Sequence, residues 1–141
     1  MLSGKYPLHV ETTGDDRRPA LLLLNPLGTT LDFWEPLVYT LGHRNWLIRF
    51  DWRGHGGSLG DPVSSYEIAD LADDARTVLD ALEVQRAHVF GSSLGGLVAL
   101  DLAAKAPDRV DRLVLASTAL RMGSNAWWIH TMDQVLSLIH I

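Results

Sequence analysis

The chain has 141 residues, which leaves room for one domain of ordinary size. Its 47% hydrophobic and 21% charged residues, with a mean hydropathy of +0.06, argue against global disorder. Seventeen acidic residues outnumber twelve basic ones, and no basic stripe follows a helix, which argues against nucleic-acid binding. The lack of cysteine excludes disulfides, thiol nucleophiles and cysteine-based zinc sites.

The chain shows no sign of export or membrane insertion. Residues 1–7 lack the charged and apolar regions of a signal peptide. The most continuous apolar run, Ala20 to Leu24, is far shorter than the roughly 20 residues of a membrane span. We therefore expect a cytoplasmic protein without membrane contact.

The first third of the chain predicts strands around polar turns. Tyr6, Leu8 and Val10 alternate with polar neighbours, which is typical of a half-buried antiparallel edge strand. Residues 14–19 form a polar turn. Residues 20–25 are then continuously apolar up to Asn25, which indicates a strand covered on both faces.

The next segment predicts helix, strand and loop in turn. Residues 33–41 form a short helix, and residues 46–50 form a second buried strand. Residues 51–58 are too rich in glycine to be regular. Ser64 and Glu67 have the spacing of a capping box.

The remaining elements continue this alternation. An amphipathic helix with apolar positions every three or four residues follows the box. Residues 87–90 form a third buried strand, a helix then runs to about Ala106, and Val110 to Ala116 form a fourth buried strand. A further helix is expected from about Asn125. Apolar strands alternating with helices predict an α/β fold, with a mostly parallel sheet and helices on both faces.

The strongest chemical signal is the pattern Gly-x-Ser-x-Gly at residues 91–95. Composition alone predicts about 0.06 such matches in a chain of this kind. The pattern also stands between a buried strand and a helix, which is the context of a nucleophile elbow. The alternative is a glycine-rich turn whose serine caps the helix.

Sterics explain why this pattern suits a nucleophile. A sharp turn strains the backbone of Ser93, and Gly91 and Gly95 lack the Cβ atoms that would collide there. The turn exposes the Ser93 hydroxyl and directs the N–H of Leu94 at a nearby oxyanion. Ser92 is a rival nucleophile only if the register differs.

A second oxyanion donor is expected after the first central strand. Asn25, Pro26, Leu27 and Gly28 follow that strand, where hydrolase folds with such an elbow place this donor. Pro26 has no N–H, so the N–H of Leu27 is the candidate. The alternative is a plain turn.

Histidines and paired carboxylates give weaker signals. His55 follows the second buried strand and is interpreted as structural rather than as the general base. His9, His43 and His88 show no metal-ligand spacing, so no metal site is predicted. His130 is interpreted as an ordinary helix residue. The pairs Asp15/Asp16 and Asp73/Asp74 are interpreted as solvated surface.

Several segments resemble the 3-oxoadipate enol-lactonases of the α/β-hydrolase superfamily. The elbow and the Arg-Gly-His-Gly stretch are shared across the superfamily. The segments at residues 25–34 and 117–128 are typical of fewer families, and they favour the lactonases. Most superfamily members have His-Gly in place of Asn25-Pro26 and the lactonases have Asn-Ser, so Pro26 leaves the exact subfamily open. The matching segments are residues 25–34, 51–58, 91–96, 106–115 and 117–128.

The resemblance implies a cofactor-independent hydrolysis of a small-molecule ester or lactone, such as 3-oxoadipate enol-lactone in aromatic-compound breakdown. A carboxylesterase with another substrate is the alternative. The triad in this fold runs serine, acid, histidine along the chain. Asp133 and His130 fall where the helical lid should begin, so we expect the triad acid and histidine to be absent from this chain. Without them the 141-residue chain is expected to be inactive.

We hypothesise that the last six residues, 136–141, do not come from the native gene. They are what CTG TCT CTT ATA CAC ATC encodes, the end sequence of a transposon adapter used for sequencing libraries. We therefore expect a partial hydrolase core over residues 1–135, followed by an adapter-encoded tail, 136–141. The oligomeric state is not predicted.

Overall fold

The computed structural model describes residues 7–58 and 66–119. This part of the chain forms five strands and three α-helices, with short 3-10 helices at Leu31–Trp34 and Pro107–Arg109. The elements in chain order are β1 (Val10–Thr13), β2 (Ala20–Leu24), α1 (Glu35–Leu41), β3 (Trp46–Phe50), α2 (Ile68–Ala81), β4 (Ala87–Ser92), α3 (Leu94–Lys105) and β5 (Val110–Ala116).

The strands form one mostly parallel sheet in the order β1-β3-β2-β4-β5. β1 is antiparallel to β3, whereas β3, β2, β4 and β5 are parallel to one another. Strands that alternate with helices in sequence cannot be joined by hairpins, so consecutive strands run the same way. The α/β class and the antiparallel edge strand predicted from the sequence are confirmed.

Helices cover both faces of the sheet, as the apolar runs predicted. Side chains along β2 alternate between the faces. Leu22 and Leu24 belong to the larger core, which α2 and α3 complete. Leu21 and Leu23 belong to a smaller core, which is completed by Trp34 and the apolar side of α1. Because both faces are covered, all five residues of β2 are buried.

Two early boundaries differ from the expectation. The edge strand begins at Val10, while Leu8 is buried in an isolated bridge and Tyr6 is outside the described residues. The first helix begins as a 3-10 turn at Leu31, two residues before Phe33. The early start has a tertiary cause, because the Asp51 carboxylate accepts a 2.7 Å hydrogen bond from the N–H of Leu31.

The capping box of α2 was predicted at the wrong residues. Glu67 has extended backbone (φ −103°, ψ 166°) and is the N-cap, so it is not the third helical residue. Its side chain accepts from the N–H of Asp70, and the Asp70 carboxylate accepts from the N–H of Glu67 at 2.8 Å. Asp and Glu reproduce the reciprocal box usually made by serine and glutamate. Ser64 is outside the described residues.

The last described strand, β5, is at the edge of the sheet. Within the described part of the chain its only partner is β4, and Val114 on β5 is 51% exposed. The sequence predicted a buried strand here, and that prediction is wrong for the described residues, because nothing among them covers the free edge and the outer positions of β5. None of the described helices is long and apolar enough to cross a membrane. The helix expected from about Asn125 and the proposed tail at 136–141 are outside the described residues.

Candidate active site

The four parallel strands bring their exit loops to one edge of the sheet. β2 is followed by the loop at 25–30, β3 by the loop at 51–58, and β4 by the turn into α3. β5 is followed by residues 117–119. Ligand sites of open α/β sheets lie at this carboxyl edge.

Ser93 occupies the turn between β4 and α3 in a strained conformation. Its φ of 53° and ψ of −115° are outside the helical and extended regions. Such a conformation costs roughly 1–3 kcal/mol and persists only where the surroundings enforce it. Ser93 is exposed, whereas the rival Ser92 ends β4 with 8% exposure.

Three glycines make this turn sterically feasible. A Cβ on Gly91 would collide with the carbonyl group of Gly95, and a Cβ on Gly95 would collide with the carbonyl oxygen of Leu24. A Cβ on Gly96 would stand 2.6 Å from the Cβ of Thr118. Backbone therefore packs against backbone at Gly91 and Gly95, where the sequence predicted that a Cβ would collide, and against the Thr118 side chain at Gly96.

Hydrogen bonds hold the Ser93 backbone on both sides. Its N–H donates to the carbonyl oxygen of Ala116 at 2.9 Å. Its carbonyl oxygen accepts from the N–H of Gly96 at 3.0 Å, from the N–H of Leu97 at 3.3 Å and from the Thr118 hydroxyl at 2.8 Å. The first turn of α3 and the exit of β5 thus enforce the strained conformation.

The loop after β2 is anchored by the buried side chain of Asn25. Its Nδ2 donates to the carbonyl oxygen of Phe50 at 2.9 Å, and its Oδ1 accepts from Nε1 of Trp34 at 2.7 Å. The Asn25 carbonyl oxygen accepts from Nε1 of Trp52 at 3.0 Å. Both indole N–H groups are buried and need partners, so this network fixes where the loop leaves the sheet.

The two candidate oxyanion donors lie at the same edge. The backbone of Gly95, next to Leu94, packs against the carbonyl oxygens of Leu24 and Asn25, where the Leu27 loop begins. Leu27 itself is 62% exposed. Among the described residues, no protein acceptor receives a hydrogen bond from the N–H of Leu27 or of Leu94.

Asp51 organises the loop after β3, and the sequence analysis did not single it out. Its carboxylate accepts from the N–H of Leu31 at 2.7 Å and from the N–H of Gly57 at 2.8 Å. Nδ1 of His9 is 3.0 Å from its Oδ2. Burial raises the pKa of Asp51, but these hydrogen bonds outweigh it and hold the pKa below its ordinary value. The sequence signal that could have identified Asp51 is its position directly after a buried strand, where its carboxylate reaches the exit loops.

Arg53 and Asp74 form a buried ion pair, which corrects the expectation that Asp74 is solvated surface. Nε and Nη2 of Arg53 donate to the two carboxylate oxygens at 2.7 and 2.6 Å. Burial raises the pKa of Asp74 and Arg53 offsets only part of that rise. Asp74 shares the buried face of α2 with Leu71 and Val78, so the helix directs it inward; the neighbouring Asp73 is exposed, as expected.

His55 connects two exit loops. Its Nε2 accepts a 3.3 Å hydrogen bond from the N–H of Gly28, and its Nδ1 is 3.2 Å from the carbonyl oxygen of Arg53. Since a carbonyl oxygen only accepts, the proton is assigned to Nδ1, which leaves Nε2 as the acceptor in the neutral ring. These contacts agree with the structural interpretation of His55.

The other described histidines have partners away from the elbow. His88 is 3.1 Å from Asp111, and His43 accepts from Arg44 at 3.2 Å. Within residues 7–58 and 66–119, no side chain hydrogen-bonds the Ser93 hydroxyl, and no three His, Cys, Asp or Glu residues cluster as metal ligands would. His130 and Asp133 are outside the described residues.

A strained, exposed serine between glycines at a strand-to-helix turn is the feature that defines the class of hydrolases with a nucleophile elbow. Residues 19–139 match the family described as having the alpha/beta hydrolase fold. The chain belongs to this family.

The names of its relatives refer to different substrates. The chain is 36% identical over 121 residues to 3-oxoadipate enol-lactonase 2 of Acinetobacter baylyi, covering 86% of this chain and 45% of that protein. It is 42% identical over 124 residues to a Variovorax paradoxus protein named "Putative carbamate hydrolase RutD", covering 86% and 43%. The chain therefore spans less than half the length of these curated relatives.

A solved structure supports the same relationship. The enol-lactonase from Burkholderia xenovorans LB400 superposes with a TM-score of 0.78 at 38% identity, covering 87% of this chain and 48% of that one. The resemblance to enol-lactonases found in the sequence is thus confirmed at the level of relatives and fold.

Proposed function

We propose that this chain is the N-terminal part of a longer serine hydrolase, with Ser93 as the nucleophile that attacks an ester or lactone carbonyl. The conformation of Ser93 carries the proposal. A φ of 53° costs free energy, yet hydrogen bonds to the N–H and to the carbonyl oxygen of Ser93, together with three close-packed glycines, enforce it at an exposed position. A serine that only capped α3 would not need such a backbone, and Ser93 makes no side-chain cap hydrogen bond.

The N–H groups of Leu27 and Leu94 are the proposed oxyanion hole. Leu94 begins α3, so its N–H adds to the positive end of the helix dipole. Leu27 follows a proline that has no N–H, and its loop starts against the first turn of α3. Two donors converging on one oxyanion typically contribute about 10²–10³ each to turnover.

The general base and its carboxylate are proposed to come from the part of the protein that follows the described residues. His9 and His55 contact other groups, and none of the described histidines is hydrogen-bonded to the Ser93 hydroxyl. Without a base the Ser93 hydroxyl stays protonated and is a poor nucleophile. We therefore expect negligible turnover from the 141-residue chain itself.

The preferred substrate is 3-oxoadipate enol-lactone, as in the breakdown of aromatic compounds. The enol-lactonases of A. baylyi and B. xenovorans support this choice. Ser93 Oγ would add to the lactone carbonyl while the base takes its proton, and the ring C–O bond would then break as the base passes that proton to the leaving enol oxygen, which gives an acyl-enzyme. Water would then cleave the acyl ester and release the acid and free Ser93. This reaction requires no cofactor or metal, and a cytoplasmic location suits a soluble acidic substrate.

A carbamate is the second candidate substrate, which the relative from V. paradoxus supports at 42% identity. A carboxylesterase with another small ester is the third. All three use the same elbow and oxyanion donors, so the described residues do not separate them. The discriminating residues are those that contact the substrate away from its carbonyl.

The test is a substrate panel on the full-length protein. Enol-lactone, carbamate and simple esters are compared at equal concentrations, with Ser93→Ala and Ser92→Ala as a matched pair. We expect enol-lactone to have the highest kcat/KM, Ser93→Ala to lose at least about 10⁴ in kcat, and Ser92→Ala to stay active. Retained turnover in Ser93→Ala would overturn the proposal. A burst of product from an activated ester with the 141-residue chain would contradict its expected inactivity.

A further inference from the structure

The loop that carries the candidate donor Leu27 is firmly held at both ends. At its start, the buried Asn25 bonds to Phe50 and to two tryptophans. At its end, the N–H of Leu31 bonds to the buried Asp51 carboxylate at 2.7 Å. Between these ends Leu27 is 62% exposed and Gly28 is also exposed, so little packing restrains the middle of the loop.

Two polar contacts restrain the middle, one on each peptide group that flanks Leu27. The Thr29 hydroxyl donates a 2.9 Å hydrogen bond to the carbonyl oxygen of Pro26. Nε2 of His55 accepts a 3.3 Å hydrogen bond from the N–H of Gly28. The first peptide group contains the Pro26 carbonyl and the Leu27 N–H, and the second contains the Leu27 carbonyl and the Gly28 N–H.

The geometry of a peptide group turns these contacts into control of the Leu27 N–H. The described part of the chain has no cis peptide bond, so the Pro26 carbonyl and the Leu27 N–H point in opposite directions within one plane. Holding the carbonyl oxygen with Thr29 therefore aims the N–H. Holding the next peptide group with His55 limits rotation about the intervening backbone bonds of Leu27.

We propose that Thr29 and His55 are positioning residues that preorganise the Leu27 N–H as an oxyanion donor. This inference rests on the proposed function, because it assumes a developing oxyanion at this edge. Neither side chain touches the substrate in this role. Preorganised donors lower the transition-state free energy because they need no reorientation during the reaction, so a loosened donor lowers kcat rather than ground-state binding.

Matched variants of the full-length protein test the proposal. Thr29→Val removes the hydroxyl at nearly constant shape, whereas Thr29→Ser keeps it. His55→Asn shortens the side chain to about the reach of Nδ1, whereas His55→Gln places an amide oxygen near the position of Nε2. Active sites are counted by a fluorophosphonate titration, so that kcat refers only to folded, reactive enzyme.

We expect Thr29→Val and His55→Asn each to lower kcat by about tenfold or more with KM changed less than about twofold. Thr29→Ser and His55→Gln should stay within about threefold of the parent. Binding of a boronate transition-state analogue should weaken in parallel with kcat. Because both contacts serve one donor, the double variant should lose less than the product of the single losses, and no more than about 10³.

The outcomes separate this proposal from the one beneath it. If Ser93→Ala abolishes turnover while Thr29→Val and His55→Asn keep the parental kcat per active site, the positioning proposal fails and the serine mechanism stands. If the conservative partners lose as much as the disruptive ones, the effect is structural and the proposal also fails. Turnover that survives Ser93→Ala removes the basis for both.

Discussion

The N–H of Ser93 donates a 2.9 Å hydrogen bond to the carbonyl oxygen of Ala116, the last residue of β5. This bond extends the β4–β5 ladder one residue beyond the end of β4, into the turn itself. The chain then leaves β5 through Ser117, which also has a positive φ of 50°. The elbow is therefore braced by a neighbouring strand, and its strain is a property of the sheet edge as a whole.

Relieving this strain should stabilise the protein and inactivate it. Ser93→Gly removes the Cβ that disfavours a φ of 53°. The strain relieved in the folded state should exceed the cost of the added chain entropy of glycine in the unfolded state. We expect the free energy of unfolding in urea to rise by about 0.5–1 kcal/mol while turnover is lost. Ser92→Gly, in the regular backbone of β4, should instead lower it by about 1 kcal/mol. Equal destabilisation by both variants would show that Ser93 is not strained.

The contact between α3 and the end of β2 should not tolerate a methyl group. In a helix, Gly→Ala normally stabilises by about 1 kcal/mol, but a Cβ on Gly95 would collide with the carbonyl oxygen of Leu24. We expect the collision to dominate and Gly95→Ala to destabilise by about 3 kcal/mol. Gly54→Ala is the control, because Gly54 has a φ of 77° but nothing within 4 Å of its Cβ position. It should cost only about 1–2 kcal/mol, measured by urea unfolding.

The buried Arg53–Asp74 ion pair should contribute more to stability than the exposed Arg76–Asp73 pair. Asp74→Asn removes the carboxylate charge of a buried bidentate pair and weakens both of its hydrogen bonds from Arg53. Burial leaves the pKa of Asp74 raised, so the charge itself stabilises little, and we expect a loss of about 1–3 kcal/mol from the weakened hydrogen bonds. Asp73→Asn breaks only the exposed pair with Arg76 and should cost less than about 0.5 kcal/mol. Similar losses in the two variants would contradict the buried assignment of Asp74.

Asp51 should make the fold sensitive to acid. Its pKa is lowered in the folded state, because the hydrogen bonds from His9, Gly57 and Leu31 outweigh the opposing effect of burial. The stabilisation is therefore present above the unfolded-state pKa, near 3.8, and is lost as the pH falls through the lower folded value. Asp51→Asn should lose about 2 kcal/mol at pH 7.

The difference between the parent and Asp51→Asn should begin to shrink as the pH falls through the unfolded-state pKa near 3.8, and it should be smallest once the pH is below the lower folded-state pKa, where the parent also lacks the charge. Urea unfolding at a series of pH values measures it. A difference that stays constant down to pH 2 would mean that the charge of Asp51 is not what stabilises the loop.

The sequence by itself determined the layout of the protein and the position of its elbow. Apolar runs identified β2 and β3 because a strand covered on both faces needs no polar alternation. Gly91, Ser93 and Gly95 were identifiable because only glycine fits where backbone packs on backbone, a constraint that is local to the chain.

Tertiary structure decided the partners of the polar side chains. Asp74 could not be distinguished from Asp73 by its type, because the difference arises from which side of α2 faces Arg53. The early helical turn at Leu31 depends on Asp51, twenty residues away in sequence. The contacts that hold the Leu27 loop likewise join separate exit loops. Such hydrogen bonds form only once the parallel strands bring their carboxyl ends to one edge, and no sequence spacing encodes that meeting.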